Sequence, residues 1–262
     1  MLWLFLLSLD IIHLPIMAGH PIHAILEGCP SILAEFEETK QAAHVLTTKT
    51  YYQMLLNLSD PSCKNPSVLF GEIYMYSEDD IKGNLVHLGD KILAEGILIF
   101  WHKDYEVSAK RALKIGEMYA KLAPAHYAQY LESFYRAVAL YAAALQTKQR
   151  KYKGAANKIR KRIAMWAQYG NTTIQYCSIL LSAMHLTLEK KRKEAKLKYK
   201  EAIEAVGRLG HLHHLGLFNE LYSDFLHDQR NEEESKHHLE EAIKHFREWG
   251  AIHKVKALES RL

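Results

Sequence analysis

Proline is missing from the last 138 residues of this 262-residue chain; all six prolines stand at positions 15, 21, 30, 61, 66 and 124. Proline breaks helix interiors, because it lacks an amide hydrogen and its ring collides with the preceding turn. Its absence leaves the whole second half open to consecutive helices. Cysteine is scarce as well: Cys29, Cys63 and Cys177, an odd number at wide spacing with no C-x-x-C. That argues against a disulfide framework or a zinc knuckle and fits reduced thiols in a cytoplasmic protein. No run approaches the roughly 18 apolar residues of a membrane span. Residues 1–17 are apolar at first, but no Lys or Arg precedes the run, and Asp10 and His13 interrupt it. We expect an apolar, amphipathic helix or extension there that packed on a preceding repeat, with a weak signal or anchor as the alternative. The phosphate loop G-x-x-x-x-G-K-[ST], the kinase motifs H-R-D and D-F-G, the zinc motif H-E-x-x-H and the elbow G-x-S-x-G are all absent. Each holds a reacting group in a set geometry, so their absence leaves an enzyme reading without support.

Apolar periodicity is what the chain does have. Tyr127, Leu131, Phe134, Val138, Tyr141 and Leu145 step by three and four and mark one stripe of a helix. Ile159, Ile163 and Trp166 continue on the next, then Ile174, Leu181, Met184 and Leu188. Leu217, Leu221 and Phe225, and Leu239, Ala242, Ile243 and Phe246, mark two more. Breaks fall at Gly170-Asn171, Gly207 to Gly210, Gln229 to Asn231 and Gly250, where glycine and asparagine suit helix ends. Nothing alternates as a strand would. In the first 90 residues Ile25, Ile32, Leu33 and Phe36, then Val45, Tyr52, Leu55 and Leu56, predict two helices. A loop over 57–76 with Pro61 and Pro66 follows, and Ser77 with Glu78, Asp79 and Asp80 reads as a helix start.

Two segments align 40 residues apart. Ala183, Ala195, Tyr199 and Ala202 stand at offsets 0, 12, 16 and 19; Ser223, Ser235, Leu239 and Ala242 stand at the same offsets. A looser copy has Ile97, Ala109, Leu113 and Gly116. Small residues at 0, 12 and 19 let antiparallel helices approach, while the larger residue at 16 fills the groove between units. These spacings predict an all-α, antiparallel helix-pair solenoid, tetratricopeptide-like, with repeats of about 40 residues. We divide the chain into an extension at 1–17 and an array at 18–262. Within the array, 18–90 is less regular, 91–250 holds helix pairs, and 251–262 is a capping helix. Trp249 should anchor that end and Gly250 stop the helix before it.

Four segments carry a family likeness. They are Gly19-His20-Pro21 with the helix around Cys29; Asn57-Leu58 through Asp60-Pro61 to Leu69-Phe70-Gly71-Glu72; Phe100-Trp101-His102-Lys103-Asp104-Tyr105-Glu106; and Arg247-Glu248-Trp249-Gly250-Ala251 with Lys254-Val255 and Leu258-Glu259. In these the chain resembles the helical-repeat region of large multidomain signalling proteins that join a serine/threonine-kinase-like domain, a STAND ATPase and a histidine-kinase or cyclase output. The resemblance spans residues 18–262 and implies a non-catalytic interaction or spacer module linking ATPase and sensor parts. It supplies no catalytic residue and no cofactor, since the enzyme modules of that family are absent. An alternative is a fragment carrying that family's kinase or ATPase activity by descent.

Two clusters have chemistry of their own. Half of the sixteen histidines lie from His211 to His253, with His211, His213 and His214 close together. No acid or cysteine stands at a diagnostic ligand spacing, so packing is expected and no metal. From Lys148 to Arg162 there are eight Lys or Arg and no acid. Such a run can meet phosphates, and a basic array binding nucleic acid is the further alternative. Ile159 and Ile163 sit within it at core spacing, so a solvated basic face of an amphipathic helix is expected instead. The expected partners are protein domains, in the same polypeptide or separate, with no small-molecule substrate and no nucleic acid.

Overall fold

The computed structural model describes residues 12–76, 83–102, 104–122 and 128–262. The apolar run before residue 12 and the helix start expected at Ser77 to Asp80 lie outside the described residues. Among the described residues every regular element is a helix. After a helical segment at 12–18 come α1 (Ile22–Glu38), α2 (Ala42–Ser59), α3 (Leu85–Trp101), α4 (Tyr105–Ile115) and the short α5 (Met118–Leu122). Then follow α6 (Ala128–Thr147), α7 (Arg150–Ala167), α8 (Thr172–Leu188), α9 (Arg192–Gly207), α10 (Leu212–Asp228), α11 (Glu232–Trp249) and α12 (Ile252–Glu259). Neighbours in sequence pack in pairs, α1 on α2, α6 on α7, α8 on α9 and α10 on α11, so the fold is an all-α helical solenoid.

The turns inside three of these four pairs share one chemistry. Lys40, Lys190 and Arg230 have φ of 55°, 60° and 60°, in the left-handed region. In each turn the next amide reaches back five residues: Gln41 N–H to Phe36 O, Lys191 N–H to Leu186 O, Asn231 N–H to Leu226 O. This double-bonded helix end usually takes glycine. A side chain in that conformation costs about 1 kcal/mol, which a cation offsets by sitting at the negative end of the helix. Gly250, with φ 97°, makes the same turn between α11 and α12.

The aligned small residues lie in the interior. Ala183, Ala195, Ala202 and Ala242 have no exposed surface, and Ser223 and Ser235 are buried. The Ser223 hydroxyl donates to the Ser235 carbonyl at 2.8 Å, and the Ser235 hydroxyl donates to the Ser223 carbonyl at 2.9 Å. Side chains that bond the opposite backbone hold α10 and α11 at close range. Tyr199 stacks on Tyr222 of the following unit, with ring centroids 5.4 Å apart, and Leu239 is buried. The looser copy departs from this pattern: Ala109 is buried, but Leu113 is exposed and Gly116 already caps α4.

α6 is buried on more than one stripe. It touches α3, α4, α5, α7 and α8, and Ala137, Ala139, Ala142, Ala143 and Ala144 are buried along with the predicted Leu131, Phe134, Val138 and Tyr141. The ends of the array also meet. Trp101 packs on Tyr135, Phe246 and Trp249 at 5.6, 5.5 and 5.2 Å. α12 touches α2, and His253 Nε2 donates to the Asp60 carbonyl at 2.7 Å, across 193 residues of sequence. The last helix therefore does more than cover the end of the stack; it joins that end to the first pair. Its buried Lys254 lies 2.8 Å from Glu220, which has no exposed surface. The loop over 60–76 is pinned to α2 by two buried amides: Gln53 Oε1 accepts from Ile73 N–H and Tyr74 N–H, and Asn57 donates to Val68 O.

Replacing Ala202 with Leu would force a side chain into a contact that has no spare volume. We expect a loss of about 1–3 kcal/mol in denaturant unfolding; an unchanged midpoint would refute the close contact. Lys254→Met should cost more, about 3–5 kcal/mol, because it removes the lysine that neutralises the buried Glu220. Adding Glu220→Gln should recover most of that loss, and no recovery would show that the lysine acts through packing alone.

Candidate functional site

The first helices of successive pairs, α6, α8 and α10, stand side by side and create two environments. Toward their N-terminal ends the space between them and the first helices is filled. Gly19 lies against His213 so closely that an added Cβ would fall 2.2 Å from Nδ1. Its positive φ of 70° also favours glycine there. Beneath it a chain of polar groups runs through the interior. Tyr135 OH lies 3.1 Å from His214 Nε2, His214 Nδ1 lies 2.7 Å from Tyr176 OH, and that hydroxyl lies 2.8 Å from His211 Nδ1. One arrangement uses every proton: Tyr135 donates to His214 Nε2, His214 Nδ1–H donates to Tyr176, and Tyr176 donates to His211. His213 stacks on His214 at 3.9 Å, and neither of its nitrogens has a hydrogen-bond partner. Burial drives both His213 and His214 well below the usual histidine range, so both are neutral.

Toward their C-terminal ends the same three helices part and leave an open cleft of about 430 Å³. Met184, Leu221 and Phe225 line it with apolar surface, and Lys148, Asp224, Asp228 and Arg261 add charge. Arg261 is bonded to Asp224. Tyr105 of α4 also lines the cleft; it is buried, and its hydroxyl has no hydrogen-bond partner. An uncompensated buried hydroxyl is costly. The arrangement can hold an amphipathic segment, apolar below and polar at the rim. It contains no paired nucleophile and base.

None of the ten residues singled out from the repeat lies on this cleft except Tyr199. The others form the packing behind it: Ala183, Ala195, Ala202, Ser223, Ser235, Leu239, Ala242 and Trp249 in the interior, and Gly250 in the turn. The cleft residues Asp224, Asp228 and Arg261 were missed by sequence reasoning. Asp224 and Asp228 are four apart beside Leu221 and Phe225, a spacing that could have marked one half-polar face. The expected histidine cluster is an interior packing group. Among the described residues no three His, Cys, Asp or Glu converge on a point that could hold a metal ion. No helix among them is long and apolar enough to cross a membrane. Compared with known proteins, the chain matches no family model, no curated protein and no solved structure.

The buried histidines make stability depend on pH. His87 and His102, like His213 and His214, are depressed by burial first, the former two to about 4. Such groups contribute full stability above the unfolded value of 6.5 and lose it as pH falls toward the folded value. Asp90 works the other way. Burial raises it to about 6, against the hydrogen bonds from Thr47 and Tyr51. Its ionised form therefore weakens the fold as pH rises from 3.8 to 6. Burial raises Glu132 as well; the more numerous histidines outweigh these two carboxyls, so the melting temperature should fall from pH 6.5 to pH 4. A flat profile over that window would show that these rings are hydrated in solution.

Proposed function

We propose that the chain is a non-catalytic protein-interaction or spacer module, working in a reducing, cytoplasmic setting. The observation that carries this reading is the open cleft on α6, α8 and α10, which joins an apolar floor to a charged rim and holds an unpartnered Tyr105 hydroxyl. An extended segment of another protein domain fits it, laying apolar side chains on Phe225 and Leu221 and polar groups against Lys148 and Asp228 at the rim. Stacked helix pairs bury a continuous core and bend little, so what is bound at the cleft is held at a fixed distance from whatever adjoins the array. The likeness in the four segments named above supports a place between an ATPase or kinase part and a sensor or output part of a signalling protein. The partner then belongs either to the same polypeptide or to a separate protein.

A photo-crosslinking residue placed at Gln146, on the cleft, tests this against one placed at Glu204, which is exposed away from it. In producing cells the Gln146 position should yield a discrete protein adduct that the Glu204 position does not. Equal adducts from both, or none from Gln146, would overturn the cleft as the contact. ATP turnover by the purified chain would overturn the non-catalytic reading.

A further inference from the structure

No acid occurs between Glu132 and Glu189, so α7 and α8 carry none. The sequence alone left the basic run of α7 as a solvated face. The structure sorts its members into two groups. Arg162 is used inside the fold, bonded to Glu117 and to the Ser133 hydroxyl at 3.1 Å, and Lys153 pairs with Glu189 at 2.7 Å. Arg150, Lys158 and Lys161 are exposed, and no acid among the described residues pairs with them. The buried Tyr152, Ala156, Ile159 and Ile163 hold the opposite face of α7 against the core. The cations therefore cannot turn inward.

Two features appear only in three dimensions. The contact from Lys153 to Glu189 brings the turn before α9 beside the flank of α7 opposite Lys151, where Lys190 is exposed with Arg192 and Lys193 at the start of α9. The acids close to it are Glu189, already paired, and Glu194, which lies 3.8 Å from Lys191. At the far end of α7, Tyr169 is 84% exposed and Met165 49% exposed. Lys151, Lys158 and Met165 are spaced 7 residues apart, so they fall on nearly one line along the helix, and Tyr169 lies two residues past its end. From Lys151 to Met165 that line runs about 20 Å.

We propose that the outer face of α7, from Arg150 past Lys158 and Lys161 to Tyr169, docks single-stranded nucleic acid. Unpaired cations in a row match successive phosphates, and neutralising them releases counterions. An aromatic ring exposed at the end of such a row is a platform for an unstacked base. A duplex has no such base to offer, and an acidic peptide makes no use of the ring. The strip is on the outer face of the array and does not depend on the cleft or on its occupant.

The test is fluorescence anisotropy of a labelled 20-nucleotide oligouridylate with the full chain, titrated from 50 to 200 mM salt. We expect saturable binding that weakens steeply with salt. R150Q/K158Q/K161Q should reduce the slope of log affinity against log salt by about 2, at about 0.7 per lost phosphate contact, and weaken binding about tenfold or more. Tyr169→Ala should weaken binding about fivefold or more with the slope unchanged, as loss of one stacked base requires. Absence of binding at 50 mM salt, or an unaltered slope in the triple variant, overturns the proposal. So does tighter binding of a matching duplex, of polyglutamate or of phosphatidylserine vesicles at equal charge. Those three results would assign the strip to duplex, acidic protein or membrane surface instead.

Discussion

The indole of Trp101 fills the space where the beginning and the end of the array come together. It touches Tyr135 of α6 and Phe246 and Trp249 of α11, and it stands beside His213 of α10. A stack of helix pairs bonded only to its neighbours has two open ends and a groove along its inner side. Burying one large aromatic between the third helix and the last pair closes half of that groove. The contacts of Gly250 with Ile22 and of His253 with Asp60 follow from this closure, since they need the first pair to lie against α12. So does the approach of Gly19 to His213, which only a glycine permits.

Closure places polar groups where water does not reach. The molecule deals with them in two ways. The chain of Tyr135, His214, Tyr176 and His211 satisfies its members through one another, while burial lowers the basicity of its imidazoles. Glu220 is instead held by Lys254, a full charge met by a full charge. Pairs of that kind add little net stability over apolar packing, yet removing one partner is severe. We take them to fix the register of α12 on α10, which apolar contact alone would leave free to slide. The cleft at the other end of the same helices has no such filling. It stays open because neither α1 nor α2 contributes a residue to it, and Tyr105 of α4 is left with an unbonded hydroxyl beside it.

Much of the fold could be read from residue spacing. The helix from Glu232 to Trp249, its stop at Gly250 and the pairing of units 40 residues apart all follow from local rules of periodicity and capping. Legibility failed where chemistry was substituted. The turns at Lys40 and Lys190 carry cations in the conformation that glycine usually takes, so no glycine or asparagine announced them. It failed again in α6, where alanines on every side looked like an ordinary helical filler around one apolar stripe. They are small because five other helices, α3, α4, α5, α7 and α8, press on that element.

The sequence by itself determined the local facts: helices without strands, small residues where helices cross, a C-terminal glycine stop, and a basic run backed by core isoleucines. These depend on periods of three and four and on backbone preferences, which act within a few residues. Only the tertiary structure decided which surfaces survive. Whether Arg162 faces solvent or Glu117, whether Trp249 covers an end or closes a ring, and whether Asp224 and Tyr105 share a cleft all depend on contacts between residues far apart in the chain. No local pattern encodes such contacts, because each partner's neighbours look the same whether or not the other is there.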